Sequence, residues 1–252
     1  MRVVASLCFI ISLSSPLLAN NWPSWRGPDY NGVAPGKGYP TEWSATKNVA
    51  WKIELPGKGS STPVVWGDLI FLTSAADGNN ALLAINRSGK EQWRVTIGKE
   101  RPGKNKKASG CNPSCVTDGE HVFAYFKSGD LACVDWTGKV VWQTNLQDKF
   151  GEDTLWWDLG TSPVLTKSHC IVAVMQTGPS YLVAFDKASG KIAWNEDRNL
   201  GAPEEAAQSY STPVVLNDSG KELLVVLGAD HVTAHDATNG KELWRVGGLN
   251  PT

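Results

Sequence analysis

Short apolar runs alternate with polar turns along most of this chain, and they recur at a fixed interval. Four Ser/Thr/Asn-Pro steps each open such a run: Thr62-Pro63-Val64-Val65, Asn112-Pro113-Ser114-Cys115, Ser162-Pro163-Val164-Leu165 and Thr212-Pro213-Val214-Val215. The prolines stand 50 residues apart, a period that marks a structural repeat. Later in each unit an apolar run ends at Asn86, Asp135, Asp186 or Asp236, followed by Gly89, Gly138, Gly190 or Gly240, and then by Trp93, Trp142, Trp194 or Trp244. Each tryptophan follows its glycine by four residues.

Every unit reads as four strands. In the third they are expected over about 162–166, 170–176, 181–186 and 191–195. Proline is tolerated at a strand start. The last two strands form a hairpin in which Asp or Asn bonds a backbone N–H ahead of it and Gly takes the left-handed conformation. Lys90, Lys139, Lys191 and Lys241 follow the glycines and keep an outer strand soluble. A tryptophan near the end of that strand can wedge between neighbouring sheets while its indole N–H finds a carbonyl. A sheet that buries a face only against a copy of itself must be stacked with others, which is the logic of radial repeats. The expected fold is all-β: a β-propeller of four-stranded antiparallel blades with repeats at about 60–109, 110–159, 160–209 and 210–252.

Residues 1–19 stand apart. Arg2, the apolar run from Val3 to Leu13 and Leu17-Leu18-Ala19 have the form of a secretory signal peptide cleaved near Ala19. The run is shorter than the roughly 20 residues that span a bilayer, and no later segment is apolar enough to cross one. Residues 20–59 form an N-terminal segment in which Trp51 ends a strand-like run, Val49 to Leu55, with no blade before it. The high content of Gly (25), Pro (14) and Trp (12) suits short strands and tight turns. The net charge of −1 and the lack of a basic face argue against a nucleic-acid partner.

The pattern Ala-x-Asp-x-x-x-Gly-Lys-x-x-Trp at Ala184–Trp194 and Ala234–Trp244 resembles the tryptophan-docking repeat of the quinoprotein, or pyrroloquinoline-quinone-type, propellers. Trp22-Pro23-Ser24-Trp25-Arg26-Gly27-Pro28 resembles the opening of secreted bacterial members. The resemblance implies rings of seven or eight blades, so about four blades here make an incomplete ring. It also implies two kinds of function. Enzymes of this kind carry adjacent cysteines over the quinone, a calcium held by acidic and amide side chains, and an Asp base. This sequence has no Cys-Cys pair, and Asp135, Asp186 and Asp236 are accounted for as turn residues. The other kind is an exported, non-catalytic scaffold similar to those that help assemble outer-membrane proteins. The scaffold is the preferred reading, with a protein or small-ligand partner and no cofactor. A dehydrogenase using pyrroloquinoline quinone with calcium, its catalytic residues partly in missing blades, is the alternative.

Candidate binding residues follow from topology. The long links from each Trp to the next Pro lie on one face of the repeat, the usual binding surface of such folds. The first link is basic (Lys99, Arg101, Lys104, Lys106, Lys107). The second holds Trp156, Trp157 and Asp158, and the third Tyr210. Adjacent tryptophans can stack a sugar, a quinone or a partner's side chain, or simply pack between blades. The charged loops are expected to bridge one another. A second candidate is a polar ring at the channel mouth formed by Ser61, Thr62, Asn112, Thr161, Ser162, Ser211 and Thr212, whose plainer role is to satisfy backbone groups.

Four cysteines remain after residue 19: Cys111, Cys115, Cys133 and Cys170. Cys133 takes the place of Ala84, Ala184 and Ala234, and Cys115 that of Val65, Leu165 and Val215, so both read as core residues. In an extended strand Cys111 and Cys115 lie about 13 Å apart at ~3.3 Å per residue, too far for a disulfide. His121, His169, His231 and His235 show no metal-ligand spacing, and His235 reads as a packed imidazole.

Overall fold

The computed structural model describes residues 21–249; the signal-peptide segment lies outside the described residues. Four antiparallel four-stranded sheets follow one another along the chain. Blade I comprises β1 (Val64–Trp66), β2 (Leu69–Ala76), β3 (Asn79–Asn86) and β4 (Glu91–Lys99). Blade II comprises β5 (Val116–Thr117), β6 (His121–Tyr125), β7 (Asp130–Asp135) and β8 (Val140–Asn145), followed by a short helix α1 (Leu146–Phe150). Blade III comprises β9 (Val164–Leu165), β10 (His169–Val174), β11 (Tyr181–Asp186) and β12 (Ile192–Asp197), with α2 (Glu204–Ala207) after it. Blade IV comprises β13 (Val214–Asp218), β14 (Lys221–Gly228), β15 (His231–Asp236) and β16 (Glu242–Val246). Strand order equals chain order, and the inner strands β1, β5, β9 and β13 are neighbours in succession. The result is a β-propeller arc of four blades.

The outer hairpins show why Asp/Asn, Gly and Trp recur. Asp186 N–H donates to the Lys191 carbonyl (2.8 Å), Gly190 N–H returns to Asp186 O (2.9 Å), and the Asp186 carboxylate takes the Ser189 N–H and hydroxyl. Those bonds hold the carboxyl below its ordinary range, as the matching bonds do for Asp135 and Asp236. Each glycine has positive φ, between 67° and 86°. A Cβ there would also stand 2.5 to 2.9 Å from an indole. That indole belongs to the preceding unit. Trp93 packs on Gly138 and donates to Trp136 O (2.8 Å); Trp142 packs on Gly190 and donates to Lys187 O (2.8 Å); Trp194 packs on Gly240 and donates to Ala237 O (3.2 Å). The glycine therefore serves two blades: it turns its own hairpin and seats its neighbour's tryptophan.

Trp51 obeys the same rule, with a correction to its strand. Residues 49–55 form no strand and run as extended chain without a ladder partner among the described residues. Yet Trp51 sits on Gly89 and donates to Arg87 O (2.6 Å), and Ile53 packs on Leu72, Leu83 and Ile85. It docks on blade I as the other tryptophans dock on blades II to IV.

Strand pairing also corrects the register read from the prolines. One row crosses each blade: Val64–Phe71–Ala84–Trp93, Val116–Phe123–Cys133–Trp142, Val164–Ile171–Ala184–Trp194 and Val214–Val225–Ala234–Trp244. Val116, two residues beyond the position expected from Pro113, is the counterpart in blade II of Val64 in blade I. Cys115 therefore stands where the other units have proline, not where they have Val65, Leu165 and Val215. Ser114, not Asn112, matches Thr62, Ser162 and Thr212. Cys133 does stand at the alanine position. The four cysteines among the described residues are buried and free. Burial pushes the thiols of Cys111, Cys115 and Cys133 up to about 12 and also raises Cys170, so they behave as small apolar residues.

Polar staples join the blades. Lys187 of blade III pairs with Asp118 of blade II at 2.8 Å. Arg198, fully buried between blades III and IV, donates to Gly228 O (3.1 Å), Val226 O (3.2 Å), His231 O (3.4 Å) and the Thr233 hydroxyl (3.2 Å). Burial lowers its pKa to about 10. His235 is a buried imidazole bonded to Gly240 O (2.9 Å) and the Thr233 hydroxyl (2.9 Å). Burial depresses its pKa below 6.5. The folded state thus holds it neutral while the unfolded chain protonates it. Its contribution is complete above the unfolded value of about 6.5 and is lost as pH falls below that. We expect His235→Gln to flatten the pH dependence of urea stability between about pH 6.5 and 5; an unchanged slope would contradict this.

Candidate functional site

The long links lie side by side and are locked together. Asp158 of the second link accepts N–H groups from Lys104 (2.8 Å) and Asn105 (3.3 Å) of the first. It also forms an ion pair with Lys127, whose Nζ donates to Pro102 O as well (2.8 Å). Both side chains are nearly sealed from solvent, 2% exposed for Lys127 and 6% for Asp158. Burial alone would raise the Asp158 pKa, but the Lys127 ammonium and the two backbone N–H groups outweigh it and hold the carboxyl below its ordinary value. Asp158, a sequence candidate for ligand contact, is therefore an anchor. The expected bridging between basic and acidic loops is present here and at Arg101, which donates to Gln147 (2.7 Å).

Trp156 and Trp157 stand on top of this anchor. The two residues are 45% and 64% exposed, so neither is packed away between blades. Their backbone is fixed from the third link: Trp156 N–H donates to Gln208 Oε1 (3.1 Å), and Trp157 N–H donates to the Tyr210 hydroxyl (3.0 Å). Two large exposed rings on a restrained backbone lose little entropy on binding, the arrangement that suits an interaction hot spot.

The polar ring divides in two. Ser61 donates to Thr73 O (3.1 Å) and accepts the Thr73 N–H, and Thr161 donates to Ser211 O (3.4 Å), so both satisfy backbone groups. Thr62, Ser162, Ser211, Thr212, Asn112 and Tyr210 line an axial cavity of about 570 Å3 together with Ser60, Ser114, Gly160, Trp25 and Arg26. Its remaining wall is aliphatic: Val214, Val225, Leu227 and Val232 of blade IV. Asn112 also borders Trp157 and Asp158, so the loop face and the axial mouth are continuous.

The N-terminal segment builds the cavity's other side, a role the sequence did not disclose. Trp22 pairs with Val65 of blade I (2.7 and 2.8 Å), Pro23 O accepts from Thr117 of blade II (3.0 Å), and the Tyr30 hydroxyl bonds the Leu165 backbone of blade III. The segment thus runs along the inner strand edges of three blades and covers their open hydrogen-bonding groups. Ser114 and Lys127 were also missed. A shared Ser/Thr-x-Val pattern (Thr62-Pro63-Val64, Ser114-Cys115-Val116, Ser162-Pro163-Val164, Thr212-Pro213-Val214) was the signal that would have placed Ser114.

Among the described residues no group of three or more His, Cys, Asp or Glu is arranged to hold a metal ion, and the cysteines are dispersed through the cores.

These features define a repeat protein of the propeller class, with docking tryptophans and a continuous loop face. The sequence matches the pyrroloquinoline-quinone-like repeat family described as outer membrane protein assembly factor BamB over residues 33–173 and 78–247, and the chain belongs to that family. BamB from Moraxella catarrhalis is similar in fold, with 15% identity and a TM-score of 0.56 over 80% of this chain and 55% of that one. Quinohemoprotein alcohol dehydrogenase ADHIIG from Pseudomonas putida HK5 is similar too, with 15% identity and a TM-score of 0.62 over 90% of this chain and 40% of that one. The chain thus spans about half the length of these solved structures or less. No curated protein sequence matches it.

Proposed function

We propose that this chain is an exported, non-catalytic propeller scaffold that binds a partner protein in the cell envelope through its loop face. The exposed, backbone-anchored Trp156-Trp157 pair carries the reading. Family membership supports it, since the family is described by an assembly factor rather than by an enzyme. The Leu17-Leu18-Ala19 cleavage pattern supports export. Among the described residues no helix is long and apolar enough to cross a membrane.

The test is a pull-down from envelope extract with the purified protein and its Trp156→Ala/Trp157→Ala variant. Truncating a hot-spot aromatic costs about 2 kcal/mol or more, so with even one of the two acting as a hot spot the double variant should lose a specific partner by at least ~30-fold while its melting temperature stays unchanged. Retention of every captured protein by the variant would overturn the assignment to this pair. The dehydrogenase alternative shares the fold. Adding pyrroloquinoline quinone and calcium and following dye-linked alcohol or sugar oxidation tests it directly.

A further inference from the structure

The hydroxyls of the axial cavity form a relay from blade to blade. Thr62 N–H donates to Ser114 Oγ (2.8 Å), Ser114 N–H to Ser162 Oγ (2.9 Å), and Ser162 N–H to Thr212 Oγ1 (3.0 Å). Each hydroxyl thus spends a lone pair on the preceding blade. A hydroxyl also carries one O–H donor. Among the described residues none of Ser114, Ser162 and Thr212 donates that hydrogen to a protein group, and all three line the cavity. A backbone N–H donated to the oxygen leaves the O–H hydrogen available to another acceptor, and a ligand in the cavity that these residues line can supply one.

Arg26 faces the same space. Its guanidinium lies 5.6 Å over the Trp25 ring and donates to Asn31 O at 3.4 Å. Among the described residues it makes no ion pair. Five N–H donors in a planar fork are therefore almost unspent. The Trp22–Val65 pairing and the Pro23–Thr117 bond hold the backbone that carries it. A cavity lined by hydroxyl donors and one uncompensated cation, with no carboxylate among the described residues of its lining, is electrostatically matched to an anion.

We propose that the axial cavity binds the oxyanion of a small metabolite, a carboxylate or a phosphate, with Arg26 as the charged contact and Ser114, Ser162 and Thr212 as hydroxyl donors. The site differs from the loop-face tryptophans in chemistry and in the residues that carry it. It gives the Trp-Arg step of the N-terminal segment a task beyond covering strand edges.

Titration calorimetry of the whole chain at low salt, with citrate in one arm and inorganic phosphate in the other, tests this. At least one anion should bind, and added salt should weaken it. Arg26→Gln should lower the affinity by about tenfold to a hundredfold, the value of a charged hydrogen bond. Arg26→Lys should keep part of it. Arg26 is exposed, so its variants should keep the parent melting temperature. Binding in the citrate arm alone identifies a carboxylate, and in the phosphate arm alone a phosphate. Failure of both anions to bind, or equal affinity in Arg26→Gln, overturns the proposal.

Discussion

Asp158→Ala is expected to destabilise the protein by about 3–5 kcal/mol, the range for stranding one member of a buried ion pair. The substitution leaves the Lys127 ammonium in a nearly sealed site with the Pro102 carbonyl as its remaining partner. It also releases the Lys104 and Asn105 N–H groups that fasten the first link to the second. For a chain of this size the melting temperature should fall on the order of 10 °C. Replacing both partners, with Lys127→Met and Asp158→Leu together, should recover much of the loss, because the desolvation cost of the pair disappears with its attraction. The sign with pH is fixed by the depressed Asp158 pKa. The pair stabilises fully above the ordinary carboxylate value, and the contribution is lost as pH falls below it. A melting temperature in Asp158→Ala within a degree or two of the parent's would show that the loops are held by other means. The same variant loosens the base under Trp156 and Trp157, so it should weaken partner capture without touching either ring.

Trp142→Ala is expected to cost a similar ~3–5 kcal/mol, the usual range for deleting a packed aromatic. Trp142 joins blades II and III. Its ring lies 5.9 Å from Phe123 and 6.1 Å from Phe185, it covers Gly190, and its indole N–H satisfies Lys187 O. Truncation opens a gap between the sheets and leaves that carbonyl without its donor. Trp142→Phe should retain most of the packing and lose about 1 kcal/mol for the hydrogen bond. Trp244 provides an internal comparison, for it holds the same place in the repeat but is 46% exposed. Trp244→Ala should cost well under half as much. Equal losses at the two positions in urea unfolding would mean that the tryptophan acts within its own sheet rather than between blades.

Much of the fold was legible because its signals are local. The Asp-to-Gly turn, the positive φ it needs and the alternation of a half-buried strand depend on residues close in the chain, so composition and spacing reveal them. The same locality misled at Pro113. A proline 50 residues after Pro63 fits the period, but pairing is decided by which side chains fill the core. Val116 opposite Phe123 placed the strand two residues further on. Trp51 shows the complementary failure: its docking role was visible in its type, while its strand depended on a neighbouring edge that local sequence cannot supply.

The candidate site divides along the same line. Trp156, Trp157, Tyr210 and most of the axial hydroxyls were named from topology, since links between repeats must share a face. Their separate roles were not readable. Asp158 became an anchor because Lys127, far off in the chain, lies under it. Ser61 and Thr161 turned to backbone carbonyls, whereas Ser114, Ser162 and Thr212 accept a backbone N–H from the preceding blade and line the cavity. The sequence by itself determined the period, the strands, the turn and the tryptophan that follows it, because those rest on backbone conformation and burial within one repeat. Only the tertiary structure decided which glycine each tryptophan meets, which hydroxyls are spent, and where Arg26 stands. Those depend on contacts between blades, and a contact between blades belongs to two distant segments at once.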